Sequence, residues 1–205
     1  LKMPKPSPII IIPQREPVIL DEHTERKLSG EDFSPEINAY YHEQIAPIIY
    51  NMTRKRSIGK EATRILDDIW LGDGLSAMDM EYLKKNEISC IINCAENNTL
   101  TNRDFYRGEW RYKGINIEDS YGYDILDNHL DEFLEFMDEC IGAKQKVLVH
   151  CVAGINRSAT LLIAYLVLRN KMDLVDAIRF CFNKRPIILT NVSFVKQLIK
   201  YFVPL

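Results

Sequence analysis

From residue 64 onward the apolar positions of the chain switch back and forth between short strand-like runs and longer helical stretches. Ile65 to Leu71 reads as a strand that ends at Gly72, and Ser76 to Asn86 as a helix opened by a capping serine. Ile88 to Cys94, the run ISCIINC, is the kind of short apolar segment that lies inside a sheet. Trp110 to Ile117 alternates and reads as another strand. Leu126 to Ile141 is amphipathic, with Leu130, Phe133, Leu134, Phe136, Met137 and Cys140 on its apolar face. Val147 to Val149 is a short buried strand, and Ser158 to Arg169 a strongly apolar helix. Met172 to Lys184 and Asn191 to Tyr201 complete the helices. Strands alternating with helices predict an α/β domain over 64–205, with a central, mostly parallel sheet and helices on both faces.

Residues 1–63 read as an extension of this domain. Pro4, Pro6, Pro8, Pro13 and Pro17 exclude a helix at the start, and 21–32 is mostly polar. Ser34-Pro35-Glu36 then signals a helix start, with a cap, an early proline and an early acid. Ile37, Tyr40, Tyr41, Ile45, Ile48, Ile49 and Met52 follow at helical spacing, and Pro47 is expected to bend or interrupt the run. Such a helix packs on its own domain or offers a docking or self-association face. Arg54-Lys55-Arg56 reads as a solvated linker, with a partner site as the alternative.

Composition narrows the function classes. Of 205 residues, 46% are apolar and 27% charged, as in a soluble protein with a real core, and the net charge of -3 disfavours a nucleic-acid binder that works by bulk basicity. No apolar run is long enough to cross a bilayer, and Ile9 to Ile12 is too short for a secretory core. No membrane or nucleic-acid partner is therefore expected, and oligomeric state is left open. Five cysteines without compact spacing argue against a disulfide framework and for a reducing compartment, the cytoplasm or nucleus. Cys90, Cys140 and Cys181 read as small core residues. Cys94 is the candidate thiol for a protective disulfide with a reactive cysteine, and no metal site is expected.

The stretch that carries chemistry is Lys146 to Thr160, KVLVHCVAGINRSAT. A buried strand runs into His150-Cys151, then a short loop, then Arg157-Ser158 and a helix. A strand-to-helix loop of this kind turns backbone N–H groups inward, where the helix start adds unpaired donors, so Val152, Ala153, Gly154, Ile155 and Asn156 form a cradle for a tetrahedral oxyanion. Gly154 permits a backbone angle or close approach that a side chain blocks. The planar fork of Arg157 can hold two phosphate oxygens. Cys151 sits at the base, where a positive field favours the thiolate, the reactive form of the group. Phosphoryl transfer spreads charge over equatorial oxygens, which a ring of N–H groups and a guanidinium suits without metal or cofactor. The leaving oxygen still needs a proton. Asp119, at the end of a predicted strand and the start of a polar loop, is the first candidate acid, and Asp124 the second.

Cysteine, five residues and arginine, preceded by histidine and followed by serine, resembles the signature of the protein tyrosine phosphatase superfamily. Ile69-Trp70-Leu71-Gly72, Ile91-Ile92-Asn93, Ala164-Tyr165-Leu166, Arg185-Pro186 and Asn191 to Leu198 resemble its dual-specificity branch, over about residues 64–205. No rhodanese-like targeting domain is apparent, as in the atypical members. The resemblance implies a protein-tyrosine-phosphatase-like fold and a protein phosphatase acting on phosphotyrosine and on phosphoserine or phosphothreonine through a phosphocysteine. It implies attack by Cys151, phosphate binding by Arg157, and acid then base work by Asp119, which lies 32 residues before Cys151. It implies that Ser158 hydrogen-bonds the sulfur, that His150 orients the cradle, and that Asn191 neighbours the loop. A phosphorylated protein, with MAP kinases in the allowed class, is the expected partner.

Rival readings are a non-catalytic phosphate-binding module of the same fold and a phosphatase of lipid, RNA 5′ end or glucan. Modules of the first kind replace the cysteine or the arginine, and both stand here. The loop has no lysine of the kind inositol-lipid phosphatases carry, and Asn156 stands where glucan phosphatases usually have glycine. Tyr121 and Tyr123, on the candidate acid loop, favour an aromatic substrate.

Overall fold

The computed structural model describes residues 33–53 and 61–205. The proline-spaced start and the Arg54–Arg56 cluster lie outside the described residues. The sheet has the order β1-β2-β5-β3-β4, built from β1 (Thr63–Leu66), β2 (Ile69–Gly72), β3 (Ile88–Asn93), β4 (Arg111–Gly114) and β5 (Lys146–His150). β1 pairs antiparallel with β2, and every other pairing is parallel. The expected single strand from Ile65 to Leu71 is therefore two. Asp67 and Asp68 interrupt it, because aspartate is a poor strand former and a good turn former. Arg64 braces the turn, with Nη2 donating to Asp67 O at 3.2 Å and Asp67 Oδ1 at 3.0 Å.

Alternate residues of each strand serve opposite faces, as the two-residue period of a strand demands. Ile69, Leu71, Cys90, Ile92, Val147 and Val149 join the larger core with the long helices. Trp70, Ile91 and Leu148 join a smaller one with Leu83, Tyr106, Trp110 and Tyr112. The larger face is covered by α1 (Pro35–Tyr40), a π turn at Tyr41–Ile45, α2 (Ala46–Thr53), α4 (Ile125–Gly142), α5 (Arg157–Asn170), α6 (Leu174–Lys184) and α7 (Val192–Phe202). The smaller face is covered by α3 (Met80–Lys85). The expected helices on both faces are present.

Three local expectations are revised. The helix expected over Ser76–Asn86 divides into a 3-10 turn at Ser76–Met78 and α3, whose cap is Asp79, with Oδ1 accepting from Tyr82 N at 2.9 Å. Ser76 is engaged instead with Asp73, accepting from its N–H at 2.9 Å and giving its own N–H to Asp73 Oδ1 at 2.7 Å, a local turn that competes with helix. β4 is shorter than the expected Trp110–Ile117, since its pairing with β3 ends at Asn93 and Gly114. Pro47 lies within α2 and the irregularity precedes it. Proline has no N–H and crowds the carbonyl four residues back, and the wider π turn accommodates both.

Ile37, Tyr41 and Ile45 are buried in the larger core, so the α1–α2 segment packs on its own domain. Lys196 of α7 lies over the rings of Phe33 and Tyr41 at 5.6 and 5.9 Å. Among the described residues no helix is long and apolar enough to cross a membrane. The carboxyl ends of β2, β3 and β5 come together at Gly72, Asn93 and His150, the sheet edge where α/β folds place ligands.

Candidate active site

The loop from Cys151 to Asn156 joins β5 to α5, and its carbonyls are all anchored outward. Cys151 O meets His150 Nδ1 at 3.2 Å, and Val152 O accepts from Gly74 N at 3.0 Å. Ala153 O and Gly154 O accept from Arg185 Nη2 at 3.4 Å and Nε at 2.9 Å. Ile155 O accepts from Leu189 N at 2.9 Å, and Asn156 O from Thr160 N and Oγ1, both at 2.8 Å. In a planar trans peptide each N–H points opposite to the preceding C=O. Carbonyls held outward therefore turn the N–H groups of Val152 to Arg157 toward the concave side, where none donates to another protein group among the described residues. That is an oxyanion cradle made of backbone.

Gly154 has φ +65°, and a Cβ there would meet Gly72 O at 2.4 Å and Arg185 Nη2 at 2.6 Å, so both angle and space require glycine. Leu189, whose N–H anchors Ile155, has φ 57°, a left-handed conformation unfavourable for a bulky residue.

Cys151 is 1% exposed at the base of the cradle. Ser158, in the first turn of α5, gives its hydroxyl to Cys151 Sγ at 3.2 Å. Arg157 Nη1 is occupied by Asn98 Oδ1 at 3.0 Å and Ile117 O at 3.2 Å, while Nε is buried with no hydrogen-bond partner among the described residues. The guanidinium thus keeps its Nε edge for a ligand. Asp119 Oδ2 lies 3.9 Å from that Nε. The segment that carries Asn98 is braced by Asn93, a buried side chain at the end of β3. Asn93 donates to Thr99 Oγ1 and Thr101 O, both at 2.7 Å, and accepts from Ala95 N at 3.0 Å.

The loop that carries Asp119, the first candidate acid, is tied down from α7. Asn191 caps that helix by accepting from Ser193 N at 3.1 Å, and its Nδ2 donates to Asp119 Oδ1 at 3.1 Å and Ser120 O at 3.3 Å. Gly122 N donates to Ser193 Oγ at 3.1 Å, and Gln197 Nε2 to Tyr123 O at 2.8 Å. Tyr123 hydrogen-bonds His129 Nε2 at 2.6 Å and stacks on that ring. Asp124, the second candidate acid, is the N-cap residue of α4 and has no bond to the phosphate loop among the described residues.

Cys94 follows the Asn93–His150 pair in register and donates its N–H to His150 O at 2.8 Å, so it neighbours Cys151 on the adjacent strand end. All five thiols are buried and free, and burial pushes the Cys94 thiol well above its ordinary range.

Arg185, Asn98 and Leu189 carry site geometry that the sequence reading did not assign to them. Arg185 is 1% exposed and braces the cradle from beneath, with Nη1 donating to Thr63 Oγ1 at 3.2 Å. Burial lowers its pKa, and the negative charge of nearby Asp73 opposes that shift. Its signal in the sequence was weak, since an arginine ending an amphipathic helix ordinarily faces water.

His150 is fully buried, and burial lowers its pKa to about 4, keeping it neutral. Its folded pKa lies below the ordinary value of about 6.5. The stabilisation is therefore complete above pH ~6.5 and declines as pH falls toward 4. Comparing urea unfolding at neutral pH and near pH 4.5, His150 is expected to account for about 2–3 kcal/mol of lost stability. The His150→Asn variant should lack that component, and an unchanged acid slope would refute the assignment.

A mostly parallel sheet, a strand-loop-helix oxyanion cradle and a buried cysteine at its base define the class as cysteine-based phosphatase folds. The family model for the dual specificity phosphatase catalytic domain matches residues 69–203. Human dual specificity protein phosphatase 16 is 37% identical over 139 residues, 68% of this chain and 20% of that protein. Human dual specificity protein phosphatase 1 is 35% identical over 137 residues, covering 67% and 36%. The crystal structure of the human tyrosine phosphatase-like serine/threonine/tyrosine-interacting protein aligns with TM-score 0.63 and 32% identity, over 70% of this chain and 96% of that one. The chain belongs to the dual specificity phosphatase family. It spans between a fifth and about a third of the length of these two curated relatives.

Proposed function

We propose that this chain is a protein phosphatase that hydrolyses phosphotyrosine and phosphoserine or phosphothreonine through a phosphocysteine on Cys151. The observation that carries the reading is the Cys151 sulfur, hydrogen-bonded by Ser158, beneath a loop whose carbonyls are all anchored outward. The sulfur attacks phosphorus while the bond to the substrate oxygen breaks, and Asp119 gives that oxygen its proton. Water then attacks the phosphocysteine, Asp119 takes its proton, and the departing thiolate accepts the Ser158 hydrogen bond. Amides and Arg157 hold the equatorial oxygens in both steps. Phosphoproteins, MAP kinases among them, are the substrate class we propose. Free thiols suit the reducing cytoplasm or nucleus.

The test is hydrolysis of an aryl phosphate in excess EDTA, with acid quench and mass spectrometry of the peptide holding Cys151. The expected result is turnover that survives chelation and a peptide heavier by one phosphoryl group. Oxyanion binding without turnover or adduct would favour a phosphate-reading module of the same fold.

A further inference from the structure

The side chain of Asn156 faces away from the phosphate its backbone serves. Its Oδ1 accepts from Asn191 N at 3.0 Å and Thr190 Oγ1 at 3.1 Å. A backbone N–H can only donate, so the amide orientation is fixed and Nδ2 must point the other way. Nδ2 lies 3.3 Å from Asp119 Oδ1 and 3.2 Å from Oδ2. The Asn191 amide is fixed by the same logic, because its Oδ1 accepts from Ser193 N. Two oriented amides therefore meet one carboxylate, one from the phosphate loop and one from the cap of α7.

We infer that Asn156 is a positioning residue that couples the phosphate loop to the acid loop. It holds Asp119 over the cradle before substrate arrives. The inference rests on the proposed function, in which Asp119 is the acid. Oδ1 receives both amides, whereas Oδ2 receives one and lies on the Arg157 side, which makes Oδ2 the oxygen that carries the proton to the leaving group. The acid loop is thereby built closed: Asn191, Ser193 and Gln197 fasten it to α7, and Asn156 fastens it to the phosphate loop. Loss of Asn156 leaves the cradle amides in place, since their carbonyl anchors come from Gly74, Arg185, Leu189 and Thr160. What is lost is the pair of contacts to Asp119 and the seat of Thr190 and Asn191, and with them the aim of the proton donor.

Leaving-group dependence separates that role from a merely structural one. A well-placed acid matters little when the departing phenol is acidic and much when it is a poor leaving group. We would measure kcat/KM for aryl phosphates of rising leaving-group pKa and one alkyl phosphate, using the whole chain, Asn156→Ala, Asp119→Asn and the double variant. For Asn156→Ala the expected loss grows from about 3-fold on the best leaving group to about 30-fold on the alkyl phosphate. In the Asp119→Asn background the further loss should stay within about 3-fold on every substrate, because the two residues act through one group. A loss from Asn156→Ala that is equal across leaving groups, or fully additive with Asp119→Asn, overturns the inference. Asn156→Ser, which keeps a small polar group in the loop, repeats the test if the alanine variant does not fold. If Asp119→Asn itself leaves the leaving-group dependence unchanged, the acid assignment fails, and that outcome is distinct from failure of the Asn156 inference.

Discussion

Replacing Cys151 with serine is expected to lower turnover of an aryl phosphate by at least about 10⁴-fold while oxyanion binding persists, because a hydroxyl in the same place does not ionise near neutral pH. The cradle should outlast the change. Its shape is set by bonds from Gly74, Arg185, Leu189 and Thr160 to loop carbonyls, and none of them involves the sulfur. Calorimetric titration with tungstate should therefore find affinity close to that of the unaltered chain. Steady-state hydrolysis in EDTA checks the other half. A serine variant that keeps more than about one hundredth of the activity would sink the thiolate mechanism.

Arg157→Lys keeps the charge and removes the fork. Because Nη1 is committed to Asn98 and Ile117, the phosphate is left with the Nε edge, which presents parallel donors to two oxygens at once. A lysine supplies a point charge without that geometry, and without the bonds that hold the side chain flat against the acid loop. We expect kcat/KM to fall about 10³-fold, with most of the loss in kcat, since the equatorial oxygens spread apart only in the transition state. A fall of less than about 10-fold would mean that charge alone is used, and the two-donor reading would be abandoned.

The strand-loop-helix that carries Cys151 and Arg157 was legible because it is local. The strand, the glycine, the arginine and the helix lie within fifteen consecutive residues, so hydrophobic pattern and residue type describe the whole unit. The alternation of strand and helix was legible for the same reason, and it led to a mostly parallel sheet with helices on both faces. Expectations failed where two short-range preferences competed. Asp67-Asp68 split one apolar run into a hairpin, and Asp79 outcompeted Ser76 as a cap.

The support of the cradle was decided only in three dimensions. Arg185 reaches Gly154 across 31 positions, Asn98 reaches Arg157 across 59, and Asn191 reaches Asp119 across 72. Residue type and spacing do not mark these contacts, because an arginine or asparagine on a helix end or loop has the same local pattern whether it faces water or a buried carbonyl. Only the family resemblance pointed to Arg185-Pro186 and Asn191, and nothing pointed to Asn98. Which donor meets which acceptor follows from where the sheet and α7 bring distant segments together. The sequence alone determined that Cys151 follows a buried strand, that Arg157 opens the next helix, and how far apart they stand along the chain. Packing determined that the loop carbonyls face outward, that Arg157 Nε has no hydrogen-bond partner among the described residues, and that Asn156 points at Asp119.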